Sequence, residues 1–274
     1  MKLSRILIVF VIAVQAGGLA TASDPRVVVE VAVANQRPSV PSGANWGWWN
    51  PSKYPDSWDP DESASFGVAD ARLLVSGETY TVILAGEWTS TLDAVGTYDL
   101  DGGDGPVTDS LRLKTQIYDL GLGMWLGNDA RNGAMPWIGA TYMDIGEQVT
   151  SVPSPDSGLS QSDKRADSGL WGVAAGVDGS VTVWSSLDVT GRLLVRWATG
   201  TRRATLSPED PGGAGGEWTV SDSIDHWMWG VDVGLRWHAT RVIQIEAGWR
   251  FRDRSLDAGP ATFGGPQIKV AFEF

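Results

Sequence analysis

Acidic and basic side chains recur at every second position in several short segments of the chain. In 226–236, for example, Asp232 and Arg236 occupy even positions while large apolar residues occupy most odd ones. On a β-strand, residues two apart project to the same face, so these charges share one side. We call the residues predicted to share it the lumen charges. They are Glu30, Asp70, Arg72, Glu87, Asp119, Asp178, Asp188, Arg192, Arg196, Asp232, Arg236, Glu246, Arg250, Arg252, Lys269 and Glu273.

The chemistry open to such a face depends on whether water reaches it. In a closed barrel of about eight to ten strands the interior is barely wider than its side chains. Buried charges of opposite sign must then pair, because an unpaired charge away from water is very costly. We therefore expect ion pairs that largely plug the lumen. The alternative is a small pore for ions or small solutes, in which rings of charge select what passes.

Strands must position these charges, and period-two alternation predicts ten of them. The last is the clearest, since Ile268, Val270, Phe272 and Phe274 alternate with Lys269 and other polar or small residues. Strict alternation of this kind is typical of a strand with two different faces. The ten segments are 27–33, 69–75, 80–88, 118–124, 138–142, 171–183, 187–197, 227–237, 243–251 and 267–274.

The predicted connections alternate between short and long. Short ones fall at 76–78, 128–133, 184–186 and 238–241, and long ones at 36–65, 91–109, 148–167, 206–221 and 253–263. Short turns at one end and long loops at the other are typical of an all-β, antiparallel up-and-down transmembrane barrel. Ten strands fit best, while eight or twelve stay open because predicted boundaries vary by ~2–4 residues. The apolar parity changes around 111–117, which predicts either a bulge or a strand leaving the membrane.

A soluble sandwich or lipocalin-like barrel would show the same period, with its apolar face turned inward. The 15 tryptophans favour the membrane alternative, because many of them fall on the apolar faces near predicted strand ends. Aromatic side chains collect where a barrel wall meets the lipid headgroups. The predicted lipid-interface aromatics are Trp88, Trp171, Trp197, Trp227, Trp229, Trp237, Trp249, Phe272 and Phe274.

The N-terminus has the layout of a secretory signal peptide. Lys2 and Arg5 precede the apolar run 6–14, and Ala20-Thr21-Ala22 offers small residues for cleavage. Because a bilayer-spanning helix needs about 20 apolar residues, the run is too short for an anchor. We expect a signal peptide over 1–22, cleaved near Ala22, and one exported barrel over 23–274.

Composition argues against several kinds of partner. The formal net charge of −12 is unsuited to nucleic acid, which requires clustered Lys and Arg. With two histidines and no cysteine, we expect no metal site and no cofactor. The acidic segment 99–105 could offer oxygen ligands to calcium, but it lacks the length and the Glu of an EF-hand loop.

The first long loop is unusually aromatic. It contains Trp46, Trp48, Trp49, Tyr54 and Trp58 among Asn, Pro and Asp. Exposed aromatic clusters can bind sugars, proteins or a membrane surface. They can equally pack over a barrel mouth as a lid or join the interface aromatics, so the sequence leaves these possibilities open.

Two hairpins carry a resemblance. The segment 248–253, a short Asp/Gly loop and the ending 264–274 resemble the closing hairpin of small bacterial outer-membrane barrels, namely the opacity-protein-like and Legionella-type families. The segments 118–123 and 136–145 are similar to their internal hairpin. The resemblance implies the outer membrane of a Gram-negative cell, with lipid and lipopolysaccharide as neighbours. It also implies that the barrel-assembly machinery reads the terminal strand with Phe274.

A catalytic reading is the minor alternative. Asp225-His226 resembles in residue type the Asp/His couple of the ten-stranded omptin proteases, whose size is similar. Adjacent strand residues point to opposite faces, so these two cannot pair directly. No Asp-x-Asp partner stands at a matching strand end. We therefore expect no catalytic residues, no enzyme activity, and a structural or surface-interaction role with an unknown surface ligand.

Overall fold

The computed structural model describes residues 26–39, 66–77, 79–99, 106–129, 131–153, 162–208, 218–256 and 259–274. The predicted signal peptide, the aromatic residues of the first loop and residues 100–105 of the acidic segment lie outside these ranges. Among the described residues, no helix is long and apolar enough to cross a bilayer.

Within those ranges the chain forms twelve β-strands. They are β1 (Arg26–Ser39), β2 (Phe66–Ser76), β3 (Thr81–Thr89), β4 (Leu92–Asp99), β5 (Pro106–Gly123), β6 (Leu126–Asp129), β7 (Asn132–Pro153), β8 (Ser162–Trp184), β9 (Leu187–Pro208), β10 (Trp218–His238), β11 (Ile243–Leu256) and β12 (Gly259–Glu273). All their pairings are antiparallel, which suits a chain of successive hairpins.

The described strands close into a ten-stranded barrel, which confirms the predicted fold class and strand number. The order around the wall is β1-β2-β3-β5-β7-β8-β9-β10-β11-β12, and β12 pairs back onto β1. β3 pairs with 116–123 of β5, and β4 continues the same wall strand along 106–113. β6 likewise extends β5 beside the start of β7. Twelve segments therefore build ten wall strands.

The barrel has two distinct ends. Arg26 begins β1 and Phe274 follows β12 at one end, where the short turns also lie; we call it the turn end and the opposite one the loop end. The predicted long connections at the loop end are wrong in extent. Strand residues occupy much of 148–167, 206–221 and 253–263, and β11 stays paired with β12 as far as Leu256 and Gly259. Outward residues there, such as Arg165 and Ser221, are polar, so the apolar alternation that marks a strand is lost.

The parity change at 111–117 does not mark a bulge. β5 keeps one register with β7 from Val107 to Gly123. Leu113 and Ile117 are only 4% and 1% exposed, because they point into the barrel. The second alternative therefore holds: the strand continues beyond the apolar part of the outer wall, and its apolar residues turn inward.

The outer wall carries an apolar band between two aromatic levels. On β10, Trp227 and Trp237 point outward ten positions apart, with exposed Val233 and Leu235 between them. Ten residues span ~33 Å along a strand, or roughly 25 Å across a layer when the strand tilts by about 45°. That height matches the apolar band of a transmembrane barrel.

Candidate functional site: the charged lumen

Four charged side chains form a ring at the centre of the lumen. Glu30 on β1 receives Arg72 of β2 at 3.3 Å and Arg192 of β9 at 3.0 Å. Asp178 on β8 receives the same two arginines at 2.9 and 2.6 Å. β1 and β2 are separated from β8 and β9 around the wall, so the ring connects opposite sides of the barrel. We call it the central ring.

A second group surrounds Asp232, next to the central ring. Its carboxylate lies 2.5 Å from Arg252, 3.5 Å from Arg250 and 3.7 Å from Arg192. Arg250 also donates to Asp70 on β2, across two intervening strands. Arg192 thus joins this group to the central ring, and Arg250 gives a second bridge across the lumen.

The network continues towards the loop end through Glu87 and Asp119. Arg254 contacts Glu87 at 3.0 Å, and Arg252 and Arg196 approach the same carboxylate at 3.8 Å. Arg196 of β9 pairs with Asp119 of β5 at 2.7 Å. These pairs again join strands that are not neighbours in the wall.

A third extension lies towards the turn end. Glu246 pairs with Arg236 at 3.0 Å and with Lys269 at 2.9 Å, and Arg236 lies 3.6 Å from Glu30. Most of the lumen charges therefore belong to one continuous set of ion pairs.

Two of the lumen charges lie in separate sets at the turn end. Glu273 accepts from Arg26 at 2.7 Å and from Gln244 at 2.8 Å. Asp188 lies 2.6 Å from both Arg131 and His238.

Sequence reasoning missed Arg26, Arg131, His238 and Arg254. Arg254 could have been found, since it extends the alternation of Arg250 and Arg252 by one step. Arg131 belongs to a turn, where no periodicity marks which way a side chain points.

Asp188 ties together three turns at this end. Arg131 precedes β7, and it also donates to the carbonyl oxygen of Ser185 between β8 and β9 at 2.9 Å. His238 ends β10. Asp188 itself is buried, whereas its partners are partly exposed.

We expect Asp188→Asn to destabilise the folded barrel by about 2 kcal/mol, since a buried carboxylate loses its charge-assisted bonds to two partly exposed partners. Thermal unfolding in detergent measures the effect. Arg165→Gln breaks an exposed pair with Asp163 and is the matched control, with an expected change below about 1 kcal/mol. Equal unfolding midpoints for the two variants would contradict a stabilising role for Asp188.

Apolar residues fill the lumen beside and beyond the charges. Ile83, Met135, Trp137, Ala174 and Leu194 form a buried cluster against the wall of β3, β7, β8 and β9. On the loop side of the network, the inward-facing residues include a set that is almost fully buried. This apolar layer contains Leu113, Ile117, Met143, Leu170, Met228 and Phe263. The guanidinium of Arg254 lies 5.4 Å from the Phe263 ring centre and joins the layer to the network.

Two small cavities lie among the described lumen residues. A cavity of about 60 Å³ opens near the turn end beside the central ring. A smaller one of about 20 Å³ lies between Asp119, Arg196 and Arg250. One water needs roughly 10–15 Å³ by the same measure, so the larger cavity has room for about four to six waters and the smaller for about one or two.

The outward aromatic residues lie where the alternation places them, although their exposure differs. Trp171, Trp197, Trp227, Trp237, Trp249 and Phe274 are exposed on the outer wall, and Trp229 and Phe272 are half-buried. Trp88 is only 9% exposed, because it packs edge-on against Tyr118 with its ring over Gly86.

The structure places the two residues of the catalytic alternative on opposite faces of β10. Asp225 points outward and is exposed, while His226 points inward and is buried. Among the described residues, no three His, Cys, Asp or Glu side chains are grouped so that they could hold a metal ion.

Solved structures share the architecture of this barrel. The outer membrane protease OmpT from Escherichia coli aligns with a TM-score of 0.54 at 9% identity, over 93% of this chain and 98% of that one. A major outer membrane protein from Thermus thermophilus gives a TM-score of 0.47 at 13% identity, over 92% of this chain and 100% of that one. No protein-family model and no curated protein sequence matches the chain. The resemblance to opacity-like and Legionella-type proteins therefore stays a prediction. At such low identity the OmpT likeness concerns the fold alone, and the chain has the closed ten-stranded fold found in a bacterial outer-membrane β-barrel.

Proposed function

We propose that this protein is an outer-membrane barrel whose lumen is closed, and that it acts through its surfaces without catalysis. The observation that carries the proposal is the central ring, in which Arg72 and Arg192 each reach carboxylates on both sides of the lumen. A barrel that cannot pass solutes is left with its outer wall and its two ends as places to act. Its role is then structural or one of surface interaction.

Two independent barriers support a closed lumen. Removing one partner from a buried ion pair is strongly unfavourable, so opening the central ring costs considerable free energy. Beyond it, the apolar layer fills part of the lumen with carbon, which cannot hydrate a passing ion, while buried Thr115 and His226 also face inward near that level. An ion must break both barriers, whereas a conducting pore keeps a continuous water path.

The outer wall supports the proposed location. Its apolar band and aromatic levels suit contact with lipid, and lipopolysaccharide is the proposed neighbour in the outer leaflet. Recognition of the alternating strand β12 by the barrel-assembly machinery is a further part of the proposal. The ligand at the loop end is a proposal without a named partner, since Trp46 and its aromatic neighbours lie outside the described residues.

Planar-bilayer recording of the refolded protein tests the proposal. We expect no steady single-channel steps from protein whose heat-modifiable gel mobility shows that it has folded. The small-pore alternative has one observation in its favour, the charged cavity beside the central ring. Steady steps whose ion selectivity changes on Arg192→Ala or Arg236→Ala would establish that pore and overturn the closed barrel. Peptide hydrolysis that is lost on His226→Ala would overturn the non-catalytic part.

A further inference from the structure

The continuous set of ion pairs in the lumen contains more basic than acidic residues among those that the structure describes. Its seven carboxylates are Glu30, Asp70, Glu87, Asp119, Asp178, Asp232 and Glu246, and its eight cations are Arg72, Arg192, Arg196, Arg236, Arg250, Arg252, Arg254 and Lys269. The separate pairs towards the two ends of the lumen each contain one residue of either sign. The set therefore has one positive charge in excess, which is costly away from water.

The excess of positive charge is greatest around the smaller lumen cavity. This cavity of about 20 Å³ is lined by three carboxylates, Asp70, Glu87 and Asp119, and by five arginines, Arg72, Arg192, Arg196, Arg250 and Arg252. Uncharged residues, among them Ile83, Trp137 and Leu194, complete the lining. The electrostatic environment of the cavity therefore favours a negative charge.

Several N–H groups of the lining residues also lack a hydrogen-bond acceptor among the described protein atoms. They are Nη1 of Arg196, Nε and Nη1 of Arg250, Nε of Arg252 and the indole Nε1 of Trp137. The three arginines are only 5%, 1% and 2% exposed, so water outside the barrel does not serve as their acceptor. Arg196 Nη1 and Arg252 Nε both lie 3.8 Å from Glu87, which is beyond hydrogen-bond reach.

Oxygen atoms in the same position are much rarer in this lining. Among the described lining residues, only Oδ1 of Asp70 is a buried side-chain acceptor without a donor. Five donors therefore stand against one acceptor, and a buried donor that stays without an acceptor is unfavourable. An occupant that only accepts hydrogen bonds would satisfy several of these donors together.

We propose that the cavity binds one monatomic anion, a halide such as chloride. The anion accepts hydrogen bonds from the buried guanidinium groups and balances the excess positive charge of the network. A water molecule does this less well, because it carries no charge and its own two hydrogens need acceptors. The volume has room for about one or two water-sized particles, which suits a halide and is too small for sulfate or phosphate.

Urea unfolding of the refolded protein in detergent micelles tests the site, with sodium bromide replacing sodium gluconate at constant ionic strength. Gluconate is too large for the cavity and keeps the screening of exposed charges unchanged. We expect the equilibrium constant for unfolding to fall as bromide is added, by about 100-fold at a bromide concentration 100 times its dissociation constant. Anomalous X-ray diffraction from crystals grown in bromide should show one peak in the cavity.

Two substitutions of Ala85 separate the effect of charge from that of space. Ala85 lines the cavity from β3, where it pairs with Asp119 of β5. Ala85→Asn and Ala85→Asp introduce side chains of the same shape that fill the cavity, so bromide should not change the unfolding midpoint of either. The aspartate also supplies the negative charge. We therefore expect the equilibrium constant for unfolding to be about tenfold smaller for Ala85→Asp than for Ala85→Asn.

Three results would overturn the inference. The first is a wild-type unfolding midpoint that does not rise with bromide, and the second is an anomalous signal that lies only outside the cavity. The third is an Ala85→Asp barrel that is less stable than Ala85→Asn or that alone fails to fold, because a cavity that holds only water would not favour a charge. If neither variant folds, the two wild-type measurements decide.

The closed-lumen proposal is judged separately by conductance. A barrel that conducts and still binds bromide in the cavity would refute the closed lumen and leave the anion site in place. A barrel that neither conducts nor responds to bromide would do the reverse.

Discussion

Asp232→Asn is expected to destabilise the folded barrel by about 3–5 kcal/mol, the range for breaking one partner out of a buried charge network. The carboxylate lies within 3.7 Å of Arg192, Arg250 and Arg252. An amide of similar size keeps the shape but removes the charge, so three buried guanidinium groups lose part of their compensation. Urea unfolding of the refolded protein in detergent micelles measures the difference.

The matched control is Asp225→Asn on the same strand. Asp225 faces outward and is exposed, so water already solvates it and its change should stay below about 0.5 kcal/mol. A loss of stability common to both variants would point to the strand rather than to the network. A stable Asp232→Asn would show that the arginines are compensated by other groups and would remove the main energetic argument for a closed lumen.

The alternation of residue types predicted the fold because contact with lipid imposes this alternation on each wall strand. A wall strand in a bilayer must present apolar side chains outward, and every second residue then faces inward. This alternation correctly predicted which residues of β10 and β11 face inward. It failed at 148–167 and 206–221, where the outer face contacts water and no longer needs to be apolar.

Some of the ion-pair partners could be predicted from the sequence and others could not. Asp178 faces Arg192 and Arg236 faces Glu246 directly across hairpins, so a correct turn position is enough to predict those pairs. The link between Arg72 and Asp178 joins residues that are 106 positions apart. Such pairs depend on strand number and on how far the wall strands are staggered, and a single sequence provides neither with the needed accuracy. The existence of a charged lumen was predictable, whereas the cross-lumen bridges were not.

The apolar layer was not predicted for a related reason. Its members Leu113 and Ile117 have the periodicity of an outward face, but the strand has by then left the lipid. Inside the barrel, apolar residues follow the packing needs of the lumen, and no pattern in the strand itself distinguishes them from lipid-facing ones.

Cysteine labelling gives the largest expected difference between a closed and an open lumen. The chain contains no cysteine, so a single introduced thiol reports on one position alone. Met228 points into the apolar layer with 0% exposure, and Thr201 lies exposed on the outer face of β9 towards the loop end. We expect Met228→Cys to react with a small cationic methanethiosulfonate about 100-fold more slowly than Thr201→Cys, because labelling requires local opening of the packed layer.

The comparison separates closure from misfolding. In urea both thiols should react at similar rates, which shows that the reagent itself does not discriminate between them. In the folded barrel, rapid labelling at Met228→Cys would require a water path from the loop end past Phe263 and its neighbours, and would show that the apolar layer is not a barrier. Slow labelling together with absent conductance would mean that reagent and ions meet the same barrier. The surfaces of the barrel would then be the places to look for its partners.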